Sequence, residues 1–186
     1  MIRKSGKNIF AVQQEFNDLM RQMPTIVGKQ AENFYKESFR RQGFLDVGVS
    51  KWPARKFPRK RDQGKKKEGA ILVASGDLRR SVKIRAKGTN YVRVGSDLPY
   101  AQIHNEGGII IGNANIRKHT REQKKAWGRM RRNPTPVTVR AHTRKVRTTI
   151  DKRQFMGESV MLTRQLNATI NLRLRRIFGL SPNSIR

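Results

Sequence analysis

The chain has 186 residues, 35% of them hydrophobic, with 42 Lys and Arg against 13 Asp and Glu and a formal net charge of +29. That length suits one domain with a real core. The charge calls for an anionic partner (nucleic acid, an anionic membrane or acidic protein), because like charges at this density repel. There is no cysteine, which excludes disulfides, Cys-ligated zinc, iron–sulfur clusters and thiol catalysis. No run of about 18 uninterrupted apolar residues could cross a bilayer. Gln13, Gln14 and Glu15 also break the first apolar stretch too early for a signal peptide. The expectation is a protein made in a cytoplasm, with no membrane partner.

In chain order, Ile9, Val12, Phe16, Leu19, Met20 and Met23 fall at helical spacing. Pro24 starts a second period through Val27, Ala31, Phe34, Tyr35 and Phe39, with Gly43 placed as a C-terminal cap. One kinked helix and a helix pair both fit. Asp46 to Gly69 reads as an irregular basic loop in which Trp52 and Phe57 either stack on bases or anchor the loop to protein. Ser81 to Ala86 and Tyr91 to Gly95 have period two and are joined by Lys87-Gly88-Thr89-Asn90, which predicts a β-hairpin.

Tyr100 to Glu106 suits a short helix, and Ile109 to Ile111 a brief buried strand. Asn113 to Asn133 is polar and basic around Trp127 and reads as a solvated helix or loop. Val137 to Ala141 reads as a strand, and Thr143 to Ile150 stays open. Ser159 to Phe178 places Met161, Leu162, Leu166, Ile170, Leu174 and Ile177 on one helical face, stopped by Gly179 and Pro182. The order predicts an α+β fold with an N-terminal helix or helix pair, a small antiparallel sheet and a long C-terminal helix. It forms one domain over 1–186, with basic insertions near 46–69 and 113–133 and a short tail at 179–186.

His104, His119 and His142 have no compact metal-ligand spacing. In His104-Asn105-Glu106, a His and a Glu two residues apart on a helix point away from each other, so acid–base work is not expected of them. Gly107-Gly108 lacks the Lys-Ser or Lys-Thr of a phosphate-binding loop. The residues therefore imply no catalytic site, no metal and no cofactor.

Ser75 to Gly108 reads SGDLRRSVKIRAKGTNYVRVGSDLPYAQIHNEGG. This string resembles the phage virion-morphogenesis and tail-completion family. In that family a Ser-Gly step and a Leu precede a first strand, matched by Ser75, Gly76 and Leu78. A second strand ends in Val-Gly-Ser, matched around Gly95. A Tyr-Ala, an Ile-His and a Gly pair follow, matched by Tyr100, His104, Gly107 and Gly108. Farther on, Arg153-Gln154-Phe155-Met156-Gly157-Glu158-Ser159 resembles the family's Arg-x-Phe-Leu-Gly-x-Ser segment, marking Phe155 and Gly157. As glycines, Gly76 and Gly95 suit turns at the ends of the hairpin, and Gly107-Gly108 a sharp exit after a helix.

The resemblance implies a structural virion protein, not an enzyme. It implies a ring of six or twelve copies at the neck or the top of the tail, where the head connector meets the tail. Implied partners are neighbouring neck, portal-adaptor and tail-tube proteins with acidic surfaces, and genomic duplex DNA passing through the channel. The competing reading is a basic nucleic-acid-binding protein, ribosome-associated or involved in DNA packaging.

The expected contact residues are Lys56, Lys60, Arg61, Lys65, Lys66, Lys67, Lys124, Lys125, Arg131 and Arg132. Six copies would carry about +174, while a channel roughly 40 Å deep holds on the order of 24 phosphates of duplex DNA. DNA cannot balance that charge. Most of the basic segments are therefore expected to face acidic protein or solvent.

Overall fold

The computed structural model describes residues 8–55, 69–126 and 129–180, and they fall into two compact units. The first comprises residues up to Glu106 together with Asp151 onward, and the second is Gly107–Ile150. The first is built from helices and two-stranded antiparallel sheets and the second from strands, so the fold is α+β.

In the first unit, α1 runs unbroken over Ile9–Arg41 with Pro24 inside it, so the two helical periods belong to one helix of 33 residues. Its start is solvated, with Ile9 and Phe10 exposed, and burial begins at Leu19. Gly28 faces the second hairpin so closely that an added Cβ would lie 2.6 Å from Val92 Cγ2 and 2.8 Å from Ile84 Cδ1. A mid-helix glycine costs helix stability, and here it allows the close approach.

The C-terminal cap of α1 is Gln42, not Gly43. Gln42 is held at φ 56° by its own side chain, whose Nε2 donates to Phe39 O at 2.6 Å and to Ile71 O at 3.2 Å. Gly43 begins strand β1 (Gly43–Leu45), where a Cβ would stand 2.5 Å from the backbone oxygen of Ser50. β1 pairs with β2 (Val49–Lys51), so the opening of the segment expected as irregular loop is a hairpin.

After α2 (Asp77–Ser81), the expected hairpin forms from β3 (Lys83–Lys87) and β4 (Val92–Gly95), with a register shift between Ile84 and Ala86. The short helix α3 spans Ala101–Glu106. The last helix, α4 (Val160–Phe178), opens on Ser159, whose side chain accepts from Leu162 N at 3.1 Å, and closes on Gly179 at φ 62°. Asp46 adds a second tie at that N-terminus, accepting from Val160 N at 2.9 Å. α4 packs on α1, with Phe16 and Phe178 rings 6.1 Å apart. One core cluster gathers Phe39, Trp52, Leu78, Val82, Ala101 and Phe155, and a second gathers Ala31, Phe34, Leu45 and Leu162.

The second unit's described elements are all strands. β5 (Gly108–Ile116) pairs with β8 (His142–Ile150), and β6 (His119–Ala126) with β7 (Arg129–Val139). The pairing Gly108↔Ile150, Ile116↔His142, His119↔Val139 keeps one register across the break between the two ladders. The unit is thus one long β-ribbon, about 60 Å from Gly108 to Ala126 at strand rise. This corrects the solvated helix or loop expected over Asn113 to Asn133. It also extends the brief strand at Ile109 to Ile111 and shows it exposed, not buried, with Ile111 at 73%. The physical reason is that a two-stranded ribbon gives each side chain one cross-strand neighbour and no opposing layer.

Candidate functional site

The two motif segments, distant in sequence, meet in the first unit. Gly76 takes φ 83°, a left-handed conformation open to glycine, and turns the chain into α2. Asp77 is braced there by the Ser75 hydroxyl and by Arg80, 2.5 Å away. These contacts, the Ser75 hydrogen bond first, hold its carboxyl below the usual range. One turn of α2 then drives Leu78 and Val82 into the core, Val82 with no exposed surface.

From the other segment, Phe155 is also fully buried, with its ring centre 5.0 Å from that of Phe39. Trp52 closes the same cluster edge-on to Phe39 and donates its indole N–H to Gln154 O at 2.6 Å. Of the two roles open to Trp52, the structure assigns the anchor: its ring packs on protein. Phe57 lies outside the described residues.

The stitch between the segments is made by Asn105, a residue sequence reasoning passed over. Its Oδ1 accepts from Phe155 N at 2.9 Å and Met156 N at 3.0 Å, two backbone donors that the 155–157 turn leaves without a partner in a strand or helix. Next to it, His104 O accepts from Arg153 N at 2.8 Å. The signal in sequence was an amide residue at the end of a short helix preceding a Gly pair, where side-chain oxygens commonly meet loop backbone. At the turn, Gly157 has φ 151° and its carbonyl accepts from Tyr35 OH at 3.0 Å.

Ser75, Gly76, Leu78, Tyr100 and His104 line one open cleft of about 350 Å³ with Arg55 and Arg153. Tyr100 is partly exposed and sits edge-on to His104 at 6.1 Å. The His104 ring is half-buried, and its Nδ1 has no hydrogen-bond partner among the described residues. Burial first, and the Arg153 charge second, push its pKa below the ordinary 6.5. Arg153 spends its guanidinium on the carbonyls of Pro53 and Ala54, at 3.2 and 3.4 Å, and stands 3.7 Å from Asp151. Glu106 is tied to Gln102 at 3.3 Å. No nucleophile with an oriented base arises from this set, and the cleft's polar groups mostly hold the chain to itself.

Gly107 and Gly108 have φ 75° and 150°, in keeping with the sharp exit expected of them. The expected turn at Gly95 is corrected: it ends β4 without a positive φ, as plain strand backbone, and a Cβ there would meet only Arg85 Cγ at an ordinary 3.7 Å.

Of the basic contact residues, Lys56, Lys60, Arg61, Lys65, Lys66 and Lys67 lie outside the described residues. Lys124 and Lys125 fall on β6, and Arg131 and Arg132 on β7, where only backbone is described. Among the described residues no three His, Asp or Glu side chains could hold a metal ion, and no helix is long and apolar enough to cross a membrane. His119 and His142 are exposed on the ribbon, each ring directed to a carbonyl two residues earlier, at Arg117 and Arg140.

The shared motifs thus build the core and the turns of a small α+β unit. The family model for phage virion morphogenesis matches residues 4–174, and the chain belongs to that family. Neither a curated protein nor a solved structure matches it. Its role is therefore in the morphogenesis of a phage particle, within a family of structural function.

Proposed function

We propose that the protein is a neck or tail-completion component, forming a ring of six or twelve copies that joins the head connector to the tail. The observation that supports this reading most is that the motif residues Leu78, Phe155 and Gly157 serve packing and turns. That leaves the outer faces and the basic ribbon for contact with neighbours. In this reading the neighbours are acidic neck and tail-tube proteins, and genomic duplex DNA passes through the ring. The protein sits in the virion at the top of the tail, and its part in the particle is structural, without catalysis.

Electron microscopy of particles made without the protein tests the reading. The expected result is full heads and finished tails that fail to join. Overlong tails would make the protein a tail terminator, and normal infectious particles would overturn the proposal.

A further inference from the structure

Residues 107–150 contain twelve Lys and Arg against one acid, Glu122. None of Arg117, Lys118, Arg140, Arg144, Lys145 and Arg147 has an ion pair among the described residues. These six charges are thus unspent. The ribbon's two faces also differ. Residues directly opposite in an antiparallel pair share a face and successive residues alternate, so the β5–β8 register puts Ile110, Ala114, Ile116, Val146 and Ile150 on one side, with His142, Arg144 and Thr148 among them. The other side carries Asn113, Asn115, Thr143, Lys145, Arg147 and Thr149, with Ile109 and Ile111 near its start.

We infer that this ribbon docks on an acidic protein of the particle, one that presents an apolar strip bordered by carboxylates. The inference rests on the neck reading for the place, and on the ribbon itself for the chemistry. The cationic excess steers the ribbon to a negative surface, and the aliphatic face then fixes how it seats.

Two other occupants fit less well. Duplex DNA meets the charge, but its phosphates and base edges would leave the aliphatic face in water, and Ile110 is already 47% exposed. A second copy of this chain offers apolar surface but little free negative charge. Asp18, Glu32, Glu37, Asp77, Asp97 and Asp151 are each paired with their own chain's Arg or Lys. An acidic protein satisfies both faces, and it supplies the third layer that a two-stranded ribbon lacks.

A zero-length carbodiimide, which joins amines to carboxylates in contact, applied to purified particles tests this. The expected products couple Lys118 and Lys145 to Asp or Glu of a different virion protein. Replacing Ile110 and Ile116 together by Asn should lower those products about tenfold, the equivalent of one modest apolar contact. Replacing Asn113 and Asn115 by Ser should leave them within about twofold. A melting curve of each free variant checks that it folds.

Coupling confined to this chain's own acids would overturn the inference in favour of a second copy. Formaldehyde joining the same lysines to DNA, with no carbodiimide product, would overturn it in favour of the duplex. Absence of the chain from particles would instead overturn the neck reading, and this contact with it.

Discussion

The two units of this chain solve the problem of burying a backbone in opposite ways. In the first, side chains from α1, α2, α3, Trp52 and the 151–159 segment close around Phe39 and Phe155, Leu45 of β1 and Leu162 of α4 close around Phe34, and loop backbone is met by Asn105, Gln42 and Tyr35. In the second, each strand has one partner, and aliphatic residues such as Ile111 remain in water. A region shaped by its own core tolerates little change, whereas a ribbon shaped by cross-strand hydrogen bonds is free to carry contacts for others. Apart from Gly107 and Gly108, the family motifs lie in the first region, while the second holds Lys and Arg almost without acids.

Substitutions should separate the two. Phe155→Ala opens a cavity in the larger core cluster and should cost about 3–5 kcal/mol in a denaturant titration of the free protein. A loss below 1 kcal/mol would show that the two motif segments do not share a core. Asn105→Leu leaves the Phe155 and Met156 N–H groups without their acceptor and should cost about 2 kcal/mol, largely restored by Asn105→Asp, which keeps the oxygens. Gly28→Leu drives a side chain into Val92 and Ile84 and should cost about 1–3 kcal/mol. The same titration would reveal any slack between α1 and the hairpin.

Acid should weaken the first unit in two stages. His104 titrates below its ordinary 6.5 in the fold, so the unfolded chain takes up its proton first and stability falls as pH drops below about 6.5. Glu32 is buried between Lys36 at 2.6 Å and Lys29 at 3.2 Å, and its pKa is lowered, chiefly by the Lys36 hydrogen bond. Its contribution is present above about 4.5 and is lost as pH falls through its folded value. Melting temperatures followed from pH 7.5 to 3.5 should show both stages, with the upper one absent in His104→Gln. The smallest effect is expected in the ribbon, where Arg144→Glu should shift stability by under about 0.5 kcal/mol.

How much of this was legible in the sequence follows the same division. Both long helices, the β3–β4 hairpin and the short α3 helix showed in apolar spacing, because each has a buried face that imposes a period. Of the positive-φ positions, Gly76 and Gly107 stood out as glycines at turns, and Gly157 only as part of a family motif. The ribbon showed only at Ile109 to Ile111, within β5, and at Val137 to Ala141, across the end of β7. From Arg117 to Asn133 the residues are mostly polar and basic at odd and even positions alike, so no period of two in hydrophobicity could announce a strand there. Trp52 was ambiguous for a related reason, since a Trp among Lys and Arg reads as a base-stacking residue until Phe39 and Gln154 are seen around it. Gly28 and Asn105 required knowledge of what approaches them, although a glycine in the middle of a strong helix was itself a sign of close packing.

Amide hydrogen exchange of the free, full-length protein tests the central claim, that the motif segments form a closed core and the ribbon an uncovered contact element. The Phe155 and Met156 amides, bonded to Asn105, should exchange only on global unfolding, while those of Gly108–Ile116 and His142–Ile150 should exchange orders of magnitude faster. Ribbon amides protected as strongly as the Phe155 amide would contradict it.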